Sequence, residues 1–276
     1  MNIFFFGSTS FAAQSLIKEL ELKYNVYSFS RNKKLKKYYF FNLNNINKKT
    51  FKNIKVSKID YLFFFSSLVP IKESKSKWTV CKKINVYGLI DLLTNIKIPI
   101  KKIILASSCS LYGYETRQYN EESFLRPSNG YAFSKFIQEK LLSIFCKKNK
   151  IKLLIYRFGY VFGKNMDGSR LVKKIILRIK NKKKLNIYNK NLNLNLVHQE
   201  DVSNLVKNTF KSAEGIFNIT NLYKTSLIDF CKISLGKKIN KINKKNNYQS
   251  KKMFKEFQHL KKPSLIKGCK IFLYEN

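Results

Sequence analysis

Through roughly the first 160 residues, short apolar runs alternate with longer stretches of helical spacing, and few folds satisfy that order. Asn2–Phe6 reads as a strand, Phe11–Leu22 as a helix, Asn25–Phe29 as a second strand and Tyr38–Phe41 as a weaker one. Ile59–Phe65 is bracketed by polar residues and reads as a buried parallel strand. Trp78–Asn95 carries helical spacing, Ile103–Ala106 is a strand, Tyr131–Lys147 a helix and Leu153–Arg157 a strand. Strand-helix-strand alternation with right-handed crossovers predicts an α/β fold, a doubly wound parallel sheet with helices on both faces. After about Phe162 the pattern loosens. Leu171–Ile179, Asp201–Phe210 and Leu227–Leu235 read as helices, Leu185–Tyr188 and Gly215–Ile219 as strands, and Lys237–Lys252 as a lysine- and asparagine-rich surface segment.

A chain of 276 residues has room for two domains or one large one with an appendage. Its charge is extreme, with 55 Lys and Arg against 16 Asp and Glu. A nucleic-acid binder is the obvious reading, but only six of the 55 are arginines, and arginine is the usual instrument of base and phosphate recognition. The lysines are spread along the whole chain. Abundant Asn, Ile and Phe beside scarce Gly and Pro fit AT-rich coding, so no specific nucleic-acid partner is expected. The five cysteines are dispersed without C-x-x-C spacing, and two histidines add little, so neither a metal site nor a disulfide framework is expected. No apolar run approaches the length of a membrane span, and the N-terminus lacks a signal-peptide pattern; a soluble cytoplasmic protein is the expectation.

The first strand runs through Gly7-Ser8-Thr9-Ser10-Phe11-Ala12-Ala13 straight into a helix, the place for a dinucleotide-binding turn. Gly7 permits the tight turn, and the helix N-terminus offers N–H groups to a pyrophosphate. Ser10 and Ala13 replace the second and third glycines of the spacing. Alanine still allows close helix–strand packing, whereas Ser10 departs where backbone and phosphate approach. The second strand ends at Ser30-Arg31 with no acidic residue to hold a ribose 2′-hydroxyl, and Arg31 suits the 2′-phosphate of NADP. NADP is therefore the favoured cofactor and NAD the alternative.

Tyr131 and Lys135 stand four residues apart at the start of a predicted helix, on one face. A phenol near pKa 10 is a poor acid–base at neutral pH, and a neighbouring ammonium favours the phenolate. The pair suits proton transfer at a sugar hydroxyl or carbonyl while hydride moves to or from a nicotinamide.

In order along the chain, Gly7–Ala13, Asp60–Ser67, Asn85-Val86-Tyr87-Gly88, Ser107–Gly113, Tyr131–Lys135, Arg157–Gly163 and Val197–Val202 resemble the motifs of the extended short-chain dehydrogenase/reductases, the NAD-dependent epimerase/dehydratase family. The resemblance implies a Rossmann-type dinucleotide-binding domain over residues 1–163 and a smaller C-terminal α/β substrate-binding part over 164–276, with segments free to interleave. It implies Ser108, Tyr131 and Lys135 as catalytic residues. It implies Gly7, Ser10, Phe11, Ala12, Ser30, Arg31, Asn42, Leu43, Phe65, Ser66 and Asn85 as cofactor-binding residues with Tyr131 and Lys135. Ser108, Tyr160 and His198 are the expected substrate side, His198 as a structural rather than catalytic group.

Departures sharpen the expectation. Sugar dehydratases of the family carry Asp-Glu immediately after the hydroxyl residue, where this chain has Cys109 and Ser110, so 4,6-dehydration is not expected. Tyr160 stands in place of a substrate-binding Asn, and Leu194 in place of an Arg. The resemblance implies a nucleotide-sugar substrate, an epimerase or reductase with a lean to 4-ketoreduction, a homodimer and a place in surface polysaccharide synthesis. The alternative is a non-catalytic NAD(P)-binding scaffold or sensor on the same fold.

Overall fold

A computed structural model describes residues 1–31, 39–46, 48–69, 78–113, 119–184, 193–222, 225–237 and 250–275. The main sheet contains β1 (Asn2–Phe6), β2 (Asn25–Ser30), β3 (Tyr39–Phe40), β4 (Ile59–Phe64), β5 (Ile100–Ser108), β6 (Lys152–Phe158) and β10 (Gly215–Ile219). Their order is β10-β6-β5-β4-β1-β2-β3, and every pairing is parallel. The chain moves outward from β1 to β3 and then restarts at β4 on the other side of β1, so the strand order reverses between β1 and β4, where open α/β sheets bind ligands.

The run of phenylalanines explains the sheet's position. In β1, Ile3 and Phe5 enter one core while Phe4 and Phe6 enter the other, and all four are fully buried. Such a strand needs cover on both faces. One side is closed by α1 (Phe11–Glu21) and α6 (Gln199–Thr209), which pack together. The other is closed by α3 (Gly88–Asn95) and α4 (Gly130–Lys148). Phe6 stacks on Phe29 of β2 with centroids 4.4 Å apart, and Phe5 on Phe63 of β4 at 5.1 Å.

A third core belongs to the C-terminal half. It joins Phe162 of β7 (Tyr160–Phe162), α5 (Leu171–Lys180), Leu194 of β8 (Asn193–Leu194), Leu196 of β9 (Leu196–His198), α7 (Leu227–Ser234) and α9 (Leu265–Glu275). β7 pairs with β9, and β8 with β11 (Thr225–Ser226). Both α6 and β10 come from this half of the sequence yet complete the main sheet's layers.

Several expectations change. Trp78–Asn95 is not one regular helix: α2 (Trp78–Cys81) and α3 flank a π-helical turn at Lys82–Tyr87 that contains Asn85. The expected surface segment ends instead in α8 (Lys251–Glu256), which buries Met253 against the main core. The expected strand at Leu185–Tyr188, most of Lys237–Lys252, and Tyr38 lie outside the described residues.

Candidate active site

Gly7 follows β1 with φ +89°, and a Cβ there would come within 2.6 Å of the Phe65 carbonyl carbon and the Ser66 nitrogen. Only glycine lets the β1 turn lie this close to the end of β4. Gly7 and Ser8 both donate backbone N–H bonds to Phe29 O, each at 3.2 Å, tying the turn to β2. Ser10 stands at the N-cap of α1 without a side-chain cap bond, so the hydroxyl is not spent on its own helix.

Beside this turn lies a groove of about 490 Å³ lined by Gly7, Ser10, Ser30, Arg31, Asn42, Leu43, Phe65 and Ser66, among others. A second cavity of about 450 Å³ shares Ser10, Phe65, Ser67 and Val69 with it and extends to Phe11, Ala12, Ser108, Tyr131, Lys135 and Tyr160. The two together run from the glycine turn to the Tyr–Lys pair across the switch point. An extended dinucleotide fits this path: its walls contain no carboxylate among the described residues, and the turn approaches without a side chain.

Tyr131 is placed by the start of α4. Asn129 caps the helix, its Oδ1 accepting the Ala132 N–H at 2.9 Å, so Tyr131 falls in the first turn and Lys135 one turn later. Burial raises the Tyr131 phenol to about 12; the nearby Arg170 charge and a hydrogen bond with Ser108 pull it down, and Cys81 pushes it up. Arg170, the residue before α5, is thus a second cation near the phenol beside Lys135. Lys135 is 2% exposed and donates from Nζ to Ala106 O at 2.7 Å. Burial lowers its ammonium to about 7, against the pull of Glu139. Ser108 ends β5 and accepts from the Ser110 N–H at 3.2 Å and the Ser110 hydroxyl at 2.9 Å.

Two residues sit elsewhere than expected. Asn85 lines neither cavity. Its Oδ1 accepts from Leu68 N at 2.7 Å and its Nδ2 donates to Ser134 Oγ at 2.9 Å, so it braces the groove wall through Leu68. The π-helical turn widens the helix at this residue. His198 lies outside the Tyr131 cavity, against a separate one with Glu200, Asp201 and Lys267. Its ring meets Phe162 edge-on at 5.2 Å, its Nδ1 accepts the Glu200 N–H at 3.4 Å, and burial lowers it to about 4. It caps α6 and lies outside the cavity that holds Tyr131.

Two groups escaped the sequence reading. Arg170 lines the Tyr131 cavity but follows an irregular loop with no motif to mark it. Glu139 lies two turns beyond Tyr131 on α4 and is buried against Arg157; its spacing of four from Lys135 was the available signal.

Residues 3–220 match the NAD dependent epimerase/dehydratase family, and the chain belongs to that family. It is similar to the UDP-glucose 4-epimerase of Mycoplasma genitalium, 31% identical over 38% of this chain and 32% of the relative. It is also similar to the human dTDP-D-glucose 4,6-dehydratase, 24% identical over 69% of this chain and 57% of the relative. The matches thus span about a third to just over half of these relatives' lengths. Among solved structures, the fold resembles UDP-glucose 4-epimerase from Thermotoga maritima with UDP-glucose, with TM-score 0.83, 19% identity, and 100% and 98% of the two chains covered. The Thermus thermophilus enzyme in complex with NAD gives 0.82 at 17% identity with the same coverage. No helix among the described residues is long and apolar enough to cross a membrane.

Proposed function

We propose that this chain is an NAD(P)-dependent enzyme acting at a sugar carbon of a nucleotide-linked sugar, a 4-ketoreductase that uses NADPH, with Tyr131 as the acid/base. The observation that carries this reading is the grouping of Ser108, Tyr131 and Lys135 on one cavity that is continuous with the groove at the glycine turn and has no carboxylate among its described lining residues.

A nicotinamide dinucleotide bound along that groove supplies the hydride that the protein's own side chains cannot. Gly7, Ser10 and Ser66 flank its expected phosphate end, and Lys135 its expected ribose end. Ser108 holds the reacting oxygen and Tyr131 gives it a proton. Tyr131 and Ser108 are hydrogen-bonded to each other at the cavity wall. Arg170 and Lys135 lie on the same cavity to stabilise the phenolate left behind.

Elimination of water would require a group to take a proton from carbon and another to protonate the leaving hydroxyl. The residues following Ser108 do not supply them. Cys109 is buried with its thiol donating to Arg157 O at 3.2 Å and its pKa driven up, and Ser110 is bonded to Ser108. Reduction needs a single proton donor. Exposed Arg31 on the groove rim, with no acid among the described lining residues, supports NADP over NAD. The relatives named for UDP-glucose and dTDP-glucose chemistry support UDP- or dTDP-linked sugars as the substrate class.

A homodimer is part of the proposal. Val80, Tyr87 and Ile90 on the α2–α3 segment and Phe133 and Ile144 on α4 are exposed at helical spacing on packed neighbours.

The test is to denature the purified protein, identify any released nucleotide, and then follow NADPH oxidation with UDP- and dTDP-linked 4-keto sugars. Turnover supports the reading. Tightly carried NAD with interconversion of UDP-glucose would replace it with epimerisation, and binding of neither cofactor would point to a scaffold.

A further inference from the structure

A third cavity, of about 530 Å³, lies between the start of α6 and the start of α9 and shares no described lining residue with the other two. Three ammonium groups stand on its wall, Lys261, Lys262 and Lys267, against two carboxylates, Glu200 and Asp201. The carboxylates belong to the first turn of α6 and meet that helix's dipole themselves. Asp201 also accepts the Ser264 backbone N–H. The start of α9 differs. Ser264 Oγ accepts the Lys267 N–H at 3.4 Å, but no acid stands in the first turn, so nothing of opposite charge on α9 itself meets its positive end.

The second observation is His198. It is 2% exposed and forms part of the same wall. Gly268 lets α9 lie against it, since a Cβ there would come within 2.7 Å of His198 Cβ. Nδ1 accepts the Glu200 N–H, which puts the proton of the neutral ring on Nε2. That Nε2 is buried and has no hydrogen-bond partner among the described residues. A buried N–H without an acceptor is costly, and an anion in the cavity supplies one.

We propose that this cavity is a second ligand site, separate from the Tyr131 cavity, and that it takes a phosphate dianion, free or carried on a small hydroxylated body. Phosphate oxygens accept from several donors at once, which suits three ammonium groups, the start of α9 and one imidazole N–H. The cavity is larger than a phosphate group alone fills, and Asn204 and the two carboxylates offer partners to hydroxyls on the rest of a ligand. The proposal depends on neither the reaction nor the cofactor given above.

The experiment follows the imidazole nitrogens of the full chain by nitrogen-15 NMR, in separate titrations with inorganic phosphate and glycerol 3-phosphate. The chain has two histidines, so a His259→Gln variant assigns the His198 signals. Phosphate moves the His198 Nε2 signal to a saturating shift, with a Kd on the order of 1 mM or below. Lys267→Met, at an exposed position, weakens that binding roughly 5- to 30-fold while thermal stability stays as it was. Tighter binding of glycerol 3-phosphate identifies an organic phosphate as the ligand class, and equal binding identifies free phosphate; both support the site. A His198 signal that moves with neither probe overturns the proposal. So does a shift that is unchanged in Lys267→Met, since the anion then acts from elsewhere. Either failure leaves the reading of the Tyr131 cavity standing.

Discussion

Glu139 of α4 and Arg157 of β6 form a two-pronged ion pair, with Oε2 to Nη2 at 2.7 Å and Oε1 to Nε at 3.0 Å. The pair ties α4 to β6. Ser107 also donates to Glu139 Oε1 at 2.5 Å, and Arg157 donates to the Tyr112 hydroxyl at 2.8 Å, which in turn donates to Asn218 at 2.8 Å. One buried network therefore spans β5, β6, β10 and α4, directly under Ser108 and Lys135. Removing one charge from such a pair leaves the other buried without compensation, at a cost of about 3–5 kcal/mol. Glu139→Gln is expected to lower the unfolding free energy read from urea denaturation by that much. It also strips Lys135 of the carboxylate that raises its pKa, so the ammonium loses its proton at lower pH. A loss under about 1 kcal/mol would show that the network is not a structural tie.

Tyr131→Phe keeps the ring and removes the proton. Turnover is expected to fall by roughly 10²- to 10⁴-fold, the usual share of a general acid. NADPH affinity is expected to stay within about threefold, as the glycine turn and Arg31 are untouched. Steady-state rates together with a fluorescence titration check both halves. Wild-type activity in this variant would remove Tyr131 from the mechanism.

Arg31→Ala tests the cofactor reading. Arg31 is exposed at the groove rim, so its contact with a 2′-phosphate is partly solvated. A loss of roughly 5- to 30-fold in NADPH affinity is expected, with NADH changed little. Equal effects on the two cofactors would mean that Arg31 does not discriminate between them.

The sheet was legible because β1 and β4 are apolar at nearly every position, and a strand with no polar face can only sit between two layers. The Tyr131–Lys135 pair was legible for a similar reason, since a helix spacing of four fixes a common face without knowledge of the rest. What failed to show was anything set by contact between distant elements. Glu139 looks like an ordinary surface carboxylate until Arg157, 18 residues on, arrives beside it. Arg170 looks like a loop residue until the loop folds over Phe11. His198 follows a familiar pattern in sequence, but β9 turns it toward Phe162 and α9, away from Tyr131. The π-helical turn at Asn85 has no periodicity of its own to read, because it interrupts a helix for fewer than two turns. The C-terminal helix α9 hides among lysines although it buries Leu265, Cys269 and Phe272 at intervals of four and three.

Asp201 offers a test that does not depend on the reaction. It lies in the first turn of α6, where burial raises its carboxyl to about 6; the Ser264 backbone N–H and Lys267 oppose the rise, and Glu200 adds to it. A carboxyl whose folded pKa exceeds its unfolded value near 3.8 favours the folded state only while protonated. Its contribution is intact below about pH 4 and is lost as pH climbs through about 6. Asp201→Asn keeps an oxygen to accept the Ser264 N–H and removes the charge. The variant is therefore expected to be more stable than wild type at pH 7 by about 1–2 kcal/mol, discounted for the carboxyl's partial exposure. The gain is expected to shrink as pH falls and to vanish near pH 4. Thermal unfolding of both proteins across pH 4–8 checks this. A gain that stays constant with pH would arise from packing rather than charge, and a loss at pH 7 would mean that Lys267 outweighs burial at this carboxylate.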